Sequence, residues 1–178
     1  ALAGGRPVDP GVLVEALWPE QGPADPANAL QSLVSRLRRM LGAAGAVVQA
    51  DGGYRLDVEP GDVDALRFER LAADGRDRLR AGDPHSAAAL LGEAAALWRG
   101  EPAVVAEVAP AVATQLARSA ADAAADLAEA ELALGRADAA EARLTALLAG
   151  QPADERVAAL LMDALAAQGR QAEALTLF

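Results

Sequence analysis

The residues best equipped to recognise a partner lie between Pro26 and Leu41. Read as a helix, this stretch puts Leu30, Leu33, Val34, Leu37 and Leu41 on one apolar stripe. Asn28, Gln31, Ser32, Ser35, Arg36 and Arg39 fall on the opposite face, with Arg38 on the flank. No Asp or Glu occurs from Pro26 to Leu41, although the whole chain carries 26 acids against 16 bases. Arg can read guanine or hold a phosphate, Gln can read adenine, and Ser can bond phosphate oxygens. The polar face therefore has the chemistry of a helix lying in a major groove. An ordinary amphipathic helix with a solvated polar face would show the same stripe. Taken alone, the helix leaves the two readings level.

Other candidate chemistry is poor. His85, the single histidine, sits in a Gly82-Asp83-Pro84-His85 turn with no Ser, Cys or His partner nearby in the chain. The carboxylates are scattered and show no metal-ligand spacing, and cysteine is absent, so neither a metal site nor a disulfide framework is expected. The glycines at 42–45 and 52–53 lack the Lys-Ser/Thr of a phosphate loop. We expect no catalytic residues, no cofactor and no enzyme.

Composition sets the elements that position the helix. Hydrophobic residues make up 53% of the chain and aromatics 3%, and Ala and Leu dominate. Ala loses no side-chain entropy in a helix, so the composition favours close-packed helices over sheets. Every base is Arg; this and the Ala, Gly and Pro excess read first as bias from a GC-rich genome, which makes Arg weak evidence by itself. The net charge of −10 is uneven: residues 1–60 hold 5 Arg against 7 acids, and residues 61–178 hold 11 against 19. A polyanion would have to meet a local basic face in the first third. No apolar run reaches membrane-span length and no signal peptide is visible, which makes the cytoplasm the expected compartment. Ala1-Leu2-Ala3-Gly4-Gly5 reads as the tail of a helix, and Phe178 falls within another.

Three segments share a pattern around Gly82, Gly135 and Gly169. Ala follows each by five residues (Ala87, Ala140, Ala174), and a large apolar residue by nine (Leu91, Leu144, Phe178). Gly135 and Gly169 are 34 residues apart, the tetratricopeptide period. Gly82 and Gly135 are 53 apart, so an insertion is expected between Trp98 and Pro110. The glycine caps one helix in a left-handed conformation, the Ala lets the next helix approach, and the bulky residue fills the groove. Pro102 and Pro152 then stop the second helices. Helices are expected over about 62–81, 84–98, 110–134, 137–149, 153–168 and from 171 onward.

The first third reads otherwise. Asp9-Pro10 and Asp25-Pro26 are cap-plus-proline starts, separated by a break from Pro19 to Pro23. Ala46–Gln49 and Tyr54–Val58 are short β-type runs around Asp51-Gly52-Gly53, a hairpin signal. Helix, break, helix and hairpin is the order in which a winged helix-turn-helix ends, and it tilts the balance toward DNA. The expected fold is mainly α: a partial winged helix over residues 1–60, then a tetratricopeptide-like array over 61–178.

Asp25 to Gly42 resembles the recognition helix of the antibiotic regulatory protein (SARP) activators. Leu13–Trp18 is similar to their preceding helix, and Gly53-Tyr54-Arg55-Leu56 to the return strand of their wing. Asp64–Glu69, Leu97–Gly100, and Leu161–Leu165 with Gly169–Leu175 resemble the bacterial transcriptional activator domain (BTAD) that follows in these proteins. The resemblance implies a DNA-binding transcriptional activator whose OmpR-type winged helix binds promoter repeats. The helical domain would mediate self-association and contact RNA polymerase. Carried over, the groove-facing residues are Gln31, Ser32, Ser35, Arg36 and Arg39, with Arg38 on backbone phosphate and Arg55 on the wing. The chain departs from the family pattern in lacking the N-terminal strands and most of the first helix, and in its acidic wing tip at Asp51. From another class comes the alternative of a tetratricopeptide-like interaction module that does not bind DNA by itself, within a larger regulator.

Overall fold

The computed structural model describes residues 6–42, 47–100 and 103–177. It divides into two compact units, Ala1–Leu66 with Ala103–Val112, and Arg67–Pro102 with Ala113–Phe178.

In the first unit, the cap-and-proline starts act as the sequence suggests. Helix α1 (Pro10–Leu17) begins where the Asp9 carboxylate accepts a hydrogen bond from the Gly11 amide at 2.7 Å. Helix α2 (Pro26–Leu41) begins where Asp25 accepts from the Asn28 amide at 3.1 Å. Each cap satisfies an amide that the helix itself leaves unpaired, and proline at the first position costs no hydrogen bond. Strands β1 (Val47–Ala50) and β2 (Gly53–Leu56) pair antiparallel, with Ala50 opposite Gly53. Asp51 and Gly52 make the two-residue turn with φ of 46° and 79°, both left-handed as such a hairpin requires. The hairpin is shifted slightly from expectation; Ala46 lies outside the described residues.

A third extended segment was not anticipated. The Val8 amide donates to the Tyr54 carbonyl at 2.8 Å, and the Tyr54 amide returns a bond to Val8 at 2.9 Å. The chain before α1 thus borders the return strand, which extends the hairpin toward the small sheet of a winged helix. Gly53 is needed here: a Cβ on it would stand 2.5 Å from the Val8 carbonyl oxygen.

The core of this unit is Leu30, Val34 and Val47, flanked by Leu13, Val14, Tyr54 and Leu56. The apolar stripe of α2 therefore divides, contrary to expectation. Leu30 and Val34 are buried, whereas Leu33, Leu37 and Leu41 remain 38%, 43% and 41% exposed. The reason is geometric: α1 and β1 cover one line of the helix, and five leucine-type positions spread over a wider arc than two neighbours can cover.

The second unit is built from helical hairpins: α3 (Asp64–Arg80) with α4 (Pro84–Leu97), α6 (Pro110–Ala133) with α7 (Ala137–Gly150), and α8 (Glu155–Ala167) with α9 (Gln171–Thr176). The inserted stretch holds a short helix, α5 (Ala103–Val108), where only an insertion was expected; it is grouped with the first unit. Glu101, Pro102 and Phe178 lie outside the described residues, and so does the stop expected at Pro102.

The repeated glycines make the same cap three times. Gly82, Gly135 and Gly169 have φ of 75°, 74° and 79°. Their amides donate to Leu79, Leu132 and Ala166, and the following amides of Asp83, Arg136 and Arg170 reach back to Arg78, Glu131 and Leu165. This paired pattern satisfies carbonyls that a helix end would otherwise leave bare. Ala87, Ala140, Leu91 and Leu144 are completely buried, as their offsets from the glycines imply. One core cluster joins α3, α4 and α6 through Phe68, Leu71, Leu91 and Leu127; another joins α6 to α9 through Ala128, Leu144, Leu161 and Ala174.

Charge also crosses the repeats. Asp126 on α6 is only 2% exposed and receives Arg76 Nε at 2.7 Å and Arg156 Nη2 at 2.6 Å. One carboxylate thereby ties α3 to α8. Burying it without these donors would be costly, so the three side chains act as one unit.

Candidate nucleic-acid interface

Helix α2 presents its polar face as the sequence implies. Asn28, Gln31, Ser32, Ser35, Arg36 and Arg39 are all exposed. Among the described residues no carboxylate pairs with Arg36 or Arg39, so both charges are held open to solvent. Arg39 Nε leans back toward the Ser35 carbonyl at 3.4 Å, which orients the guanidinium without neutralising it.

Arg38 differs from its neighbours. It is half-buried, and its Nε donates to the Val47 carbonyl at 2.8 Å. This bond joins α2 to the first strand of the hairpin and fixes how the two stand together. Arg38, expected on backbone phosphate, thus also has a protein partner, in keeping with its place on the flank of the helix.

On the hairpin, Arg55 is paired with Asp57 through Nη2 at 2.9 Å, and its Nε is buried without a hydrogen-bond partner. Its charge is thus locally offset. Asp51 stands exposed at the tip. The structure accordingly brings Gln31, Ser32, Ser35, Arg36 and Arg39 together on one exposed helix face, and it sets Arg38 and Arg55 apart from that group. His85 is exposed on the first turn of α4, beside the Asp83 cap. Among the described residues no cluster of three or more His, Cys, Asp or Glu could hold a metal ion. Among the same residues no helix is long and apolar enough to cross a membrane.

The chain is similar to known proteins in sequence and in fold. Residues 63–178 match the family model of the bacterial transcriptional activator domain. The regulatory protein DnrI of Streptomyces peucetius is 34% identical over all of this chain and 70% of its own length. The regulatory protein AfsR of Streptomyces coelicolor is 38% identical over 99% of this chain, which spans 18% of AfsR. A structure of Mycobacterium tuberculosis EmbR in complex with a low-affinity phosphopeptide superposes with a TM-score of 0.88 at 34% identity. It covers 97% of this chain and 48% of EmbR. The chain belongs to the bacterial transcriptional activator domain family and, with DnrI, AfsR and EmbR, to the SARP-type transcriptional regulators.

Proposed function

We propose that this chain is a DNA-binding transcriptional activator of the SARP type, acting in the cytoplasm and without catalytic activity of its own. The observation that carries the reading is the exposed, acid-free face of α2 beside a β-hairpin, within a family of transcriptional regulators. In it, α2 enters the major groove of promoter repeats. Gln31, Arg36 and Arg39 read base edges or hold phosphates, and Ser32 and Ser35 bond the backbone. Arg38 holds the helix against the hairpin. The winged helix of residues 1–60 binds DNA, and residues 61–178 mediate self-association and contact RNA polymerase.

The net −10 charge supports a local rather than diffuse mode of DNA binding, because only α2 offers a run of bases free of carboxylates. The experiment is footprinting of the intact parent protein on its own upstream region, with wild type beside the Arg36→Ala/Arg39→Ala double variant. A base-reading Arg should cost roughly 1–3 kcal/mol when removed, with relaxed specificity at its position. Equal protection by both proteins would remove the assignment.

A further inference from the structure

The helical unit contains a cavity that the DNA-binding reading does not use. It is about 490 Å³ in volume and lies between α4, α6 and α7. Its walls are the Phe68 and Trp98 rings, whose centroids are 5.9 Å apart at 47°, together with Leu147 and the methyl groups of Ala121 and Ala146. The space exists because the α6 positions facing it are all alanines, too short to fill it. A site of this size, apolar with few polar groups, has the character of a small-molecule pocket between packed helices.

The polar lining narrows the ligand. Arg143 is the single charged lining residue, and Glu131 accepts from its Nε at 3.2 Å and its Nη2 at 3.0 Å. Glu131 is itself buried, so the Arg143 charge is already balanced and an anionic ligand would have no uncompensated cation to meet. Arg143 Nη1 has no hydrogen-bond partner among the described residues and is left to donate to a neutral acceptor. We infer that this cavity binds a neutral, flat, largely apolar small molecule that carries a carbonyl-type acceptor. Its rings lie against Trp98 and the alanines of α6, above the buried Phe68, and its acceptor receives the Arg143 N–H.

The test uses prodan, a neutral naphthalene ketone whose emission shifts to the blue in apolar surroundings. In a Trp18→Phe background of the full chain, Trp98 is the sole tryptophan and becomes the energy donor. Saturable, blue-shifted prodan emission sensitised by Trp98 is expected. Ala121→Phe and Ala146→Phe fill the cavity from two different helices, and each should weaken binding at least about tenfold, a difference of roughly 1.4 kcal/mol. Circular dichroism and melting should stay native, because Ala121 is half-buried and Ala146 exposed. The analogue 2-dimethylaminonaphthalene, which lacks the carbonyl, should bind about fivefold more weakly, as loss of one hydrogen bond implies.

Undiminished sensitised emission in both natively folded filling variants would overturn the proposal. So would binding lost instead on replacing the exposed Leu33 and Leu37 by Gln, which would place the dye on α2. Displacement of the dye as protein concentration rises, in step with dimerisation, would also overturn it and assign the cavity to a second copy of the chain.

Discussion

Arg38 and Val47, nine residues apart across the end of α2, are joined by a 2.8 Å hydrogen bond from guanidinium Nε to the backbone carbonyl. Val47 is also in the small core beneath the helix, so the bond and the packing fix the same joint. The arginine on the flank of α2 thus ties to the hairpin the helix that carries Arg36 and Arg39.

Arg38→Ala should therefore lower stability by about 1–2 kcal/mol, since a buried carbonyl loses a charged donor. DNA affinity should fall with it, while the salt dependence of binding stays unchanged. Urea unfolding and a salt titration of DNA binding measure the two effects. Native stability with a salt slope flattened by about one unit would make Arg38 a phosphate contact after all.

Asp51→Asn removes the negative charge at the hairpin tip and keeps a residue type that tolerates φ of 46°. If the tip lies near phosphates, affinity should rise by about 0.2–1 kcal/mol. The gain should shrink as salt increases. A filter-binding titration at two salt concentrations checks both the rise and its decay.

Gly75 faces Leu91 at the crossing of α3 and α4. A Cβ at residue 75 would lie 2.6 Å from Leu91 Cγ, and Leu91 is completely buried with nowhere to move. Gly75→Ala should cost about 1–3 kcal/mol, although the same change in an exposed helix would stabilise it. Gly92→Ala is the control, since a methyl group there would meet nothing within 4 Å. Calorimetry should show the two variants moving apart.

Leu144 fills the groove between α6, α7 and α8 with no exposed surface, and Leu161 lies in the same cluster. Leu144→Ala or Leu161→Ala should cost about 2–5 kcal/mol, enough to unfold a marginal array. A thermal melt unmoved by both would show that the core lies elsewhere.

Acid should loosen the tie between α7 and the last hairpin. A hydrogen bond from Gln168, and then one from Arg170, hold Glu141 below the ordinary glutamate value of 4.5, and a bond from Arg170 does the same for Glu173. Because both values are lowered on folding, their contribution is complete above that value and is lost as pH falls through the folded values. Melting followed from neutral pH downward should steepen there in wild type, and Glu141→Gln should flatten the acid limb. Identical pH profiles would remove this network from the acid response.

Local signals made most of the fold legible. Caps such as Asp25-Pro26 act within one turn, and a glycine that ends a helix does so wherever it stands. The offsets from Gly82 and Gly135 to a buried alanine and a buried leucine, and from Gly169 to buried Ala174, carried through because each repeat solves the same packing problem. Three features were not legible. The Val8–Tyr54 bridge leaves no local pattern, since a single bridging residue has no period. Helix α5 is too short to show one. The requirement for Gly75 depends on which residue of another helix crosses it.

The polar face of α2 was determined by sequence alone, because 3.6-residue periodicity assigns side chains to faces without reference to anything distant. Which arginines of that helix stay available was decided only by tertiary structure: Arg36 and Arg39 are open, and Arg38 on the flank is tied to the hairpin. The physical reason is that a charge is defined by its neighbours within a few ångströms, and those neighbours come from other elements. The same holds for Asp126, one more acid in an alanine-rich helix until folding places Arg76 and Arg156 on either side of it.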